Sequence, residues 1–227
     1  MDDGRPVRIV LTLDPPSVVR ALFIAIVVLA AASLAGQVST YYFGDGHLQG
    51  FVPQFNLDRE MNVPTWFSSF LFLFTAVLLW KAGSLPGPGP ARFRASWRGL
   101  AVVFVGLSID ETAAFHEMAV DPLRKLFHAH GFFHFSWVIL GIAFVAALVP
   151  VFLKLRLSLT RRTRALFFGA AFLYLSGALG MEMVAGPFVE RHGAANFSYA
   201  LMANAEEVLE MLGQVVFIKG LFTLFGG

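Results

Sequence analysis

The sequence predicts an all-α fold, a polytopic transmembrane helical bundle of about six spans. Three observations support this prediction. Apolar residues make up 57% of the 227 residues, which is more than the single core of a soluble domain of this size buries. The mean hydropathy is +0.69. Apolar runs long enough to cross a bilayer recur along the whole chain, so a soluble helical bundle fits the sequence poorly.

The apolar runs predict six spans within a single transmembrane domain of residues 1–227. They cover residues 21–43, 65–80, 97–118, 131–153, 165–188 and 197–225. The first run resembles the core of a signal peptide, but a long segment with three aspartates precedes it, so we expect a retained span. The second span is short and should stand nearly upright, whereas the last is long enough to tilt.

The basic residues predict the orientation of these spans. Thirteen of the 17 Lys and Arg residues fall in segments on the same side as the N-terminus, and four fall on the other side. Because basic loops stay in the cytoplasm, we expect both termini inside and a multi-pass location in the cell (inner) membrane. The cytoplasmic segments are then the tail 1–20 and the loops 81–96 and 154–164.

Two of the connections have a distinctive composition. The cytoplasmic loop 81–96 contains a Pro/Gly run at residues 85–90, which predicts a connector without a fold of its own. The outer interfacial loop 44–64 mixes aromatic residues with Asp58, Arg59 and Glu60. Two interpretations of this outer loop stay open, a lid over an outer pocket and a plain interfacial connection.

Acidic residues inside the predicted spans are the unusual feature of the sequence. Seven carboxylates lie at membrane depth with no Lys or Arg among them: Asp110, Glu111, Glu117, Glu182, Glu206, Glu207 and Glu210. Ionisable residues at this depth are rare and costly, and they face the bundle interior or a wet cavity. They therefore indicate a functional site.

The positions of these acids predict that they meet in the outer half of the bundle. Asp110 and Glu206 should lie about 12–14 Å below the outer ends of their helices. Asp110 and Glu117 are seven residues apart and should share a face of one continuous helix, while Glu206, Glu210 and Gln214 form a ladder. Small residues should allow close helix approach around them, at Gly106, Ser176, Gly177, Gly180, Gly186 and Gly213.

A metal site is the leading interpretation, since so many carboxylates need a cation. Carboxylate and imidazole ligands suit iron, manganese or zinc, and two ions would balance more of the charge. The candidate ligands are Glu111, His116, Glu117, His134, Glu182, Glu206, Glu207 and Glu210, and the candidate catalytic groups are Glu207, Glu111 and Asp110. Bundles with two-iron or two-manganese centres use Glu-x-x-His pairs, and no helix here carries one.

The leading hypothesis is a metal-dependent membrane enzyme that acts on a lipid-like or apolar substrate. One alternative is a cation- or proton-coupled transporter, because chains of Asp, Glu and His mark such paths. The other is a non-catalytic accessory subunit, in which protonated acids bond one another, Ser108, Thr112 or Asn204, or dock a partner subunit or a second copy. With no cysteine and no nucleic-acid-binding module, thiolate chemistry and nucleic-acid partners are excluded.

Overall fold

A computed structural model describes residues 12–85 and 92–226 of the chain. Within these residues the protein is helical and contains no strand. Five helices are long and apolar enough to cross a membrane, and a sixth span results if one sharply bent pair of helices is taken together. The predicted helical, multi-span class is therefore confirmed, whereas the inside and outside assignments stay predictions.

Nine α-helices form the bundle. They are α1 Pro15–Tyr42, α2 Phe51–Phe55, α3 Val63–Ala82, α4 Arg94–Ala113, α5 Phe115–Phe127, α6 Trp137–Leu155, α7 Arg161–Leu175, α8 Glu182–His192 and α9 Phe197–Phe225, counted over the described residues. A π-helical segment, Ser176–Met181, joins α7 to α8 into one long span. Short 3-10 turns lie at Leu48–Gly50, Gly131–Phe133 and Arg156–Ser158.

Side-chain caps fix where four of the helices begin. Asp14, Asn62, Thr160 and Asn196 each accept a hydrogen bond from the backbone N–H three residues ahead, at the start of α1, α3, α7 and α9. Helix α1 begins at Pro15, so it extends into the segment 1–20 that was predicted as a tail. The first eleven residues of that tail, and most of the Pro/Gly run 85–90, lie outside the described residues.

The third span is not the continuous helix that the apolar pattern predicts. Helix α4 ends at Ala113, and the chain turns by 80° before α5 begins. Ala114 makes this turn with φ 52° and ψ 38°, the left-handed conformation. Asp110 and Glu117 therefore lie on different helices, and the prediction that they share one helical face is wrong.

The fourth span also begins later than predicted. The chain passes through the 3-10 turn Gly131–Phe133, and α6 starts at Trp137. His134 therefore belongs to the connection between α5 and α6 rather than to a spanning helix.

Helix α9 is the central element of the bundle and packs against α1, α3 and α7. Glycines permit its closest contacts. A Cβ added to Gly213 would lie 2.6 Å from the backbone nitrogen of Tyr174, and one added to Gly177 would lie 2.7 Å from the carbonyl oxygen of Glu206. The predicted close approach is confirmed at these two positions, whereas a Cβ on Gly106 would meet nothing within 4 Å.

Polar contacts fix the register of α3 and α4 beside the acidic residues. Ser69 Oγ donates to the carbonyl of Ser108 at 2.9 Å, and Ser108 Oγ donates to the carbonyl of Ser69 at 3.0 Å. Thr112 Oγ1 adds a bond to Ser69 Oγ at 3.0 Å. This reciprocal pair places the last turn of α4, with Asp110 and Glu111, at a defined height in the bundle.

Candidate functional site

A cavity of about 250 Å³ lies at the end of the bundle that carries the outer loop, the α4–α5 bend and the start of α9. Nine carboxyl side chains line it: Asp58, Glu60, Asp110, Glu111, Glu117, Glu182, Glu206, Glu207 and Glu210. Arg59 and His116 are the basic residues of its wall. We call this cavity the carboxylate chamber and this end of the bundle the chamber end. All seven acids predicted from the spans line it.

The outer loop supplies one wall of the carboxylate chamber, with Asp58, Arg59 and Glu60. Hydrogen bonds hold this loop in place. The backbone N–H of Leu57 donates to Ser33 Oγ at 3.1 Å, and Thr65 Oγ1 donates to the carbonyl of Arg59 at 3.0 Å. The loop thus covers the chamber as a fixed wall, and it contributes two acids that the span-by-span analysis did not count as ligands.

Asp110 and His116 form a bonded pair across the α4–α5 bend. Oδ2 of Asp110 lies 2.9 Å from Nδ1 of His116. Oδ1 of Asp110 accepts a hydrogen bond from the backbone N–H of His116 at 3.1 Å. The second bond satisfies a free N–H in the first turn of α5. The first bond orients the imidazole and occupies Nδ1, so Nε2 is the nitrogen that remains for another ligand.

His116 belongs to the one group of three potential ligands that the described residues bring close together. Ligand atoms of Glu60, His116 and Glu117 all lie within 4.8 Å of one another. We call these three residues the ligand triad. His116 and Glu117 were predicted as ligands, whereas Glu60 comes from the outer loop.

The remaining wall of the carboxylate chamber comes from α6, α8 and α9. Trp137 Nε1 donates to Glu182 Oε1 at 3.1 Å, and its ring lies 5.1 Å from the ring of His116. Glu206, Glu207 and Glu210 line the side formed by α9. Trp137 therefore links the ligand triad to Glu182.

The acids of the chamber have few partners within the protein. Over residues 12–85 and 92–226, no ion pair joins any of them to a Lys or Arg. One oxygen each of Glu60 and Glu182 is buried without a hydrogen-bond partner. A buried carboxylate oxygen without a partner is costly, and a proton or a cation would lower that cost.

The two acids of the outer loop titrate near neutral pH. Burial and the charges of Glu111 and Glu117 raise the pKa of Glu60 to about 7. Burial and the charge of Glu117 raise the pKa of Asp58 to about 6, although the Tyr199 hydroxyl, which donates to Asp58 Oδ1 at 3.4 Å, and the charge of Arg59 both lower it. Both carboxyls therefore lose their protons only near neutrality.

The structure does not bring His134 to the carboxylate chamber. Its Nδ1 lies 3.2 Å from Oε1 of Glu190, and its carbonyl accepts a hydrogen bond from Arg124. This second carboxylate–histidine pair holds α8 against the turn before α6. His134 was predicted as a ligand because a helix starting at residue 131 would place it inside the bundle.

Two of the three partners expected in the accessory-subunit alternative are engaged elsewhere. Ser108 and Thr112 bond Ser69 on α3. Asn204 Nδ2 donates to the carbonyl of Ala200 at 2.7 Å, whereas its buried Oδ1 has no hydrogen-bond partner. Among the described residues, none of these three side chains is hydrogen-bonded to a carboxylate of the chamber.

Residues 21–225 match the model of a family described as Domain of unknown function (DUF8692). The chain belongs to this family. The DUF8692 match includes every residue of the carboxylate chamber and all the helices from α2 to α9. Searches of curated proteins and of solved structures gave no match.

Proposed function

We propose that the protein is a metal-dependent membrane enzyme whose carboxylate chamber binds a divalent ion and acts on a lipid-like substrate. The observation that supports this most strongly is the ligand triad of Glu60, His116 and Glu117, with His116 oriented by Asp110. A carboxylate bonded to the far nitrogen of a histidine is the usual support for a histidine that binds a metal.

The chemistry of the donors fits a divalent metal. The ligand triad offers two carboxylates and one imidazole, a set that suits manganese, iron or zinc. The unpartnered oxygen of Glu60 belongs to this triad, and a cation would satisfy it. Glu111, Glu182, Glu206, Glu207 and Glu210 also line the chamber, so a second ion has carboxylates available to it.

Each side chain then has a distinct role. A bound divalent ion polarises an oxygen of the substrate or activates a water molecule. Glu207 and Glu111 lie in the same cavity and have the chemistry of general bases that take up a proton. Asp110 acts as a positioning residue, because both of its oxygens already bond His116.

The metal content of the purified protein tests the proposal. We expect stoichiometric manganese, iron or zinc by mass spectrometry, retained through size-exclusion chromatography in detergent. The variants His116→Ala and Glu60→Gln should lose the metal. The matched control is His134→Ala, which removes the histidine that pairs with Glu190 and should keep the metal. A folded protein that takes up no divalent metal, or equal loss in both histidine variants, would contradict the proposal.

Transport is the alternative that the same chamber suggests, and flux measurements separate the two. Beyond Glu210 the next polar side chain on α9 is Gln214, which is buried and donates to Ser68 Oγ at 3.3 Å. Proton or cation flux into proteoliposomes that depends on Glu210 would favour transport. Stability only in the presence of a co-purifying partner would favour the accessory subunit.

A further inference from the structure

A second cavity, of about 340 Å³, runs from the carboxylate chamber toward the opposite end of the bundle. Helices α4 and α6 form its two sides, and α7 and α9 form its floor. Its lining is apolar apart from the edges of Trp137, Tyr174 and Gln214. We call this cavity the apolar groove.

The apolar groove and the carboxylate chamber adjoin each other. Five residues line both: Phe72, Leu107, Trp137, Tyr174 and Ala178. The change from carboxylates to apolar side chains therefore takes place across these five residues. An amphiphilic molecule matches such a surface, with its polar end among the acids and its chain along the groove.

The apolar groove is open along the side of the bundle that would face the lipid of a bilayer. Phe144 and Val149 on α6 and Phe168 on α7 line it, and each keeps over 40% of its surface exposed. Along α6 its lining extends from Trp137 to Leu153, a length of about 24 Å. That length is most of the roughly 30 Å hydrocarbon thickness of a bilayer.

The charges of the chamber restrict the polar end of such a molecule. Nine carboxyls face one arginine, one histidine and the proposed divalent ion, so the acids still outnumber the positive charges and a phosphate or carboxylate end meets like charge. A hydroxyl carries no charge, donates a hydrogen bond to a carboxylate and offers an oxygen lone pair to a cation.

We propose that the apolar groove binds the hydrocarbon chain of a long-chain alcohol that enters sideways from the bilayer between α4 and α6 and places its hydroxyl in the carboxylate chamber. This rests on the proposed function, because it assigns a substrate class to the same chamber. Trp137 and Tyr174 stand at the junction and mark the boundary between the chain and the polar end.

Photolabelling tests the assignment. The probe is a long-chain primary alcohol with a diazirine in mid-chain, added to the full-length protein in lipid nanodiscs. Cross-links should map to groove-lining residues of α6 and α7. The variant Val103→Trp, which fills the groove from α4, should reduce labelling about tenfold, the loss expected when roughly two methylenes lose their burial. The matched control Val102→Trp alters the neighbouring valine, which is 65% exposed and does not line the groove, and it should label normally.

Three results would overturn the assignment. They are equal labelling of Val103→Trp and Val102→Trp, equal labelling by the corresponding alkane without a hydroxyl, and stronger labelling by the fatty acid that carries the same diazirine. Ala171→Phe, which fills the floor of the groove, gives the same comparison if Val103→Trp does not fold.

Metal content distinguishes a failure of this inference from a failure of the proposed function. Val103→Trp should keep the metal of the unmodified protein. A protein that contains metal but is not labelled specifically would contradict only the assignment of a long-chain alcohol. A metal-free protein that is labelled specifically would contradict only the metal-dependent function.

Discussion

At the scale of single residues, the arrangement depends on the carboxylate of Asp110. Its two oxygens bond the ring and the backbone N–H of His116, so one side chain both caps α5 and orients an imidazole. Glu117, next to His116 in the first turn of α5, and Glu60, from the outer loop, complete the ligand triad. The triad is thus assembled from two separate segments of the chain.

Replacing Asp110 should weaken metal binding without removing a ligand. Asp110→Asn loses the charge that fixes the orientation of His116, and we expect divalent-metal affinity to fall about 10–100-fold. Isothermal titration with Mn²⁺ measures this change. Asp121→Asn, at an exposed aspartate that pairs with Arg124, serves as the control and should bind normally. Unchanged affinity in Asp110→Asn would show that the bonded pair has no role in binding.

The raised pKa of Glu60 predicts how stability depends on pH in the metal-free protein. The folded carboxyl has a pKa of about 7 instead of 4.5, so between these values the folded state holds a proton that the unfolded state has released. Stability should therefore fall as pH rises from about 4.5 to 7 and then level off. Thermal unfolding in detergent across this range, with Glu60→Gln as the comparison, measures the effect. Glu60→Gln should show a flatter profile, and an identical slope would contradict the assignment.

At the scale of elements, the bend between α4 and α5 determines which groups meet. It redirects the chain by 80°, so Glu117 approaches Glu60 rather than continuing along the line of α4. The left-handed residue at the bend is Ala114, and an alanine in this conformation costs about 1–2 kcal/mol. The surrounding contacts, above all the two bonds of Asp110, must outweigh that cost.

A pair of glycine substitutions tests the bend. Ala114→Gly relieves the left-handed strain and should raise the melting temperature, whereas Ala113→Gly lies in the last turn of α4 and should lower stability by about 0.5–1 kcal/mol. Thermal unfolding of both variants measures the two signs. Destabilisation by both substitutions would contradict a left-handed residue at position 114.

The elements also show how far the sequence predicts this fold. The span 65–80 lies within α3, and the span 197–225 matches α9 at both ends, because long stretches rich in apolar residues follow the caps at Asn62 and Asn196. The bend at Ala114 has no such mark, since Ala113-Ala114 is a good helical sequence without Gly or Pro. Only the tertiary contacts of Asp110 reveal it.

The composition of the candidate site was predictable to a similar extent. Acids within apolar runs are conspicuous, so the sequence alone predicts all seven of them. Asp58 and Glu60 lie in a polar loop, where charged residues are ordinary, and only the folding of that loop over the chamber places them with the others. The prediction that His134 lies in the chamber was wrong because it began the fourth span at residue 131, whereas α6 begins at Trp137.

At the scale of the whole molecule, the protein combines a charged chamber with an apolar exterior. Large apolar side chains such as Phe23, Ile24 and Val28 of α1 are about half exposed, as a lipid-facing surface requires. The carboxylates instead gather at one end of the bundle, next to the apolar groove. The proposed function requires that this chamber holds a divalent ion through the ligand triad.

Electron spin-echo spectroscopy of the Mn²⁺-loaded protein tests that claim most directly, because it detects an imidazole nitrogen bound to the ion. We predict a nitrogen modulation that is absent in His116→Ala and unchanged in His134→Ala. Bound Mn²⁺ without nitrogen modulation, or a modulation that survives in His116→Ala, would contradict the claim.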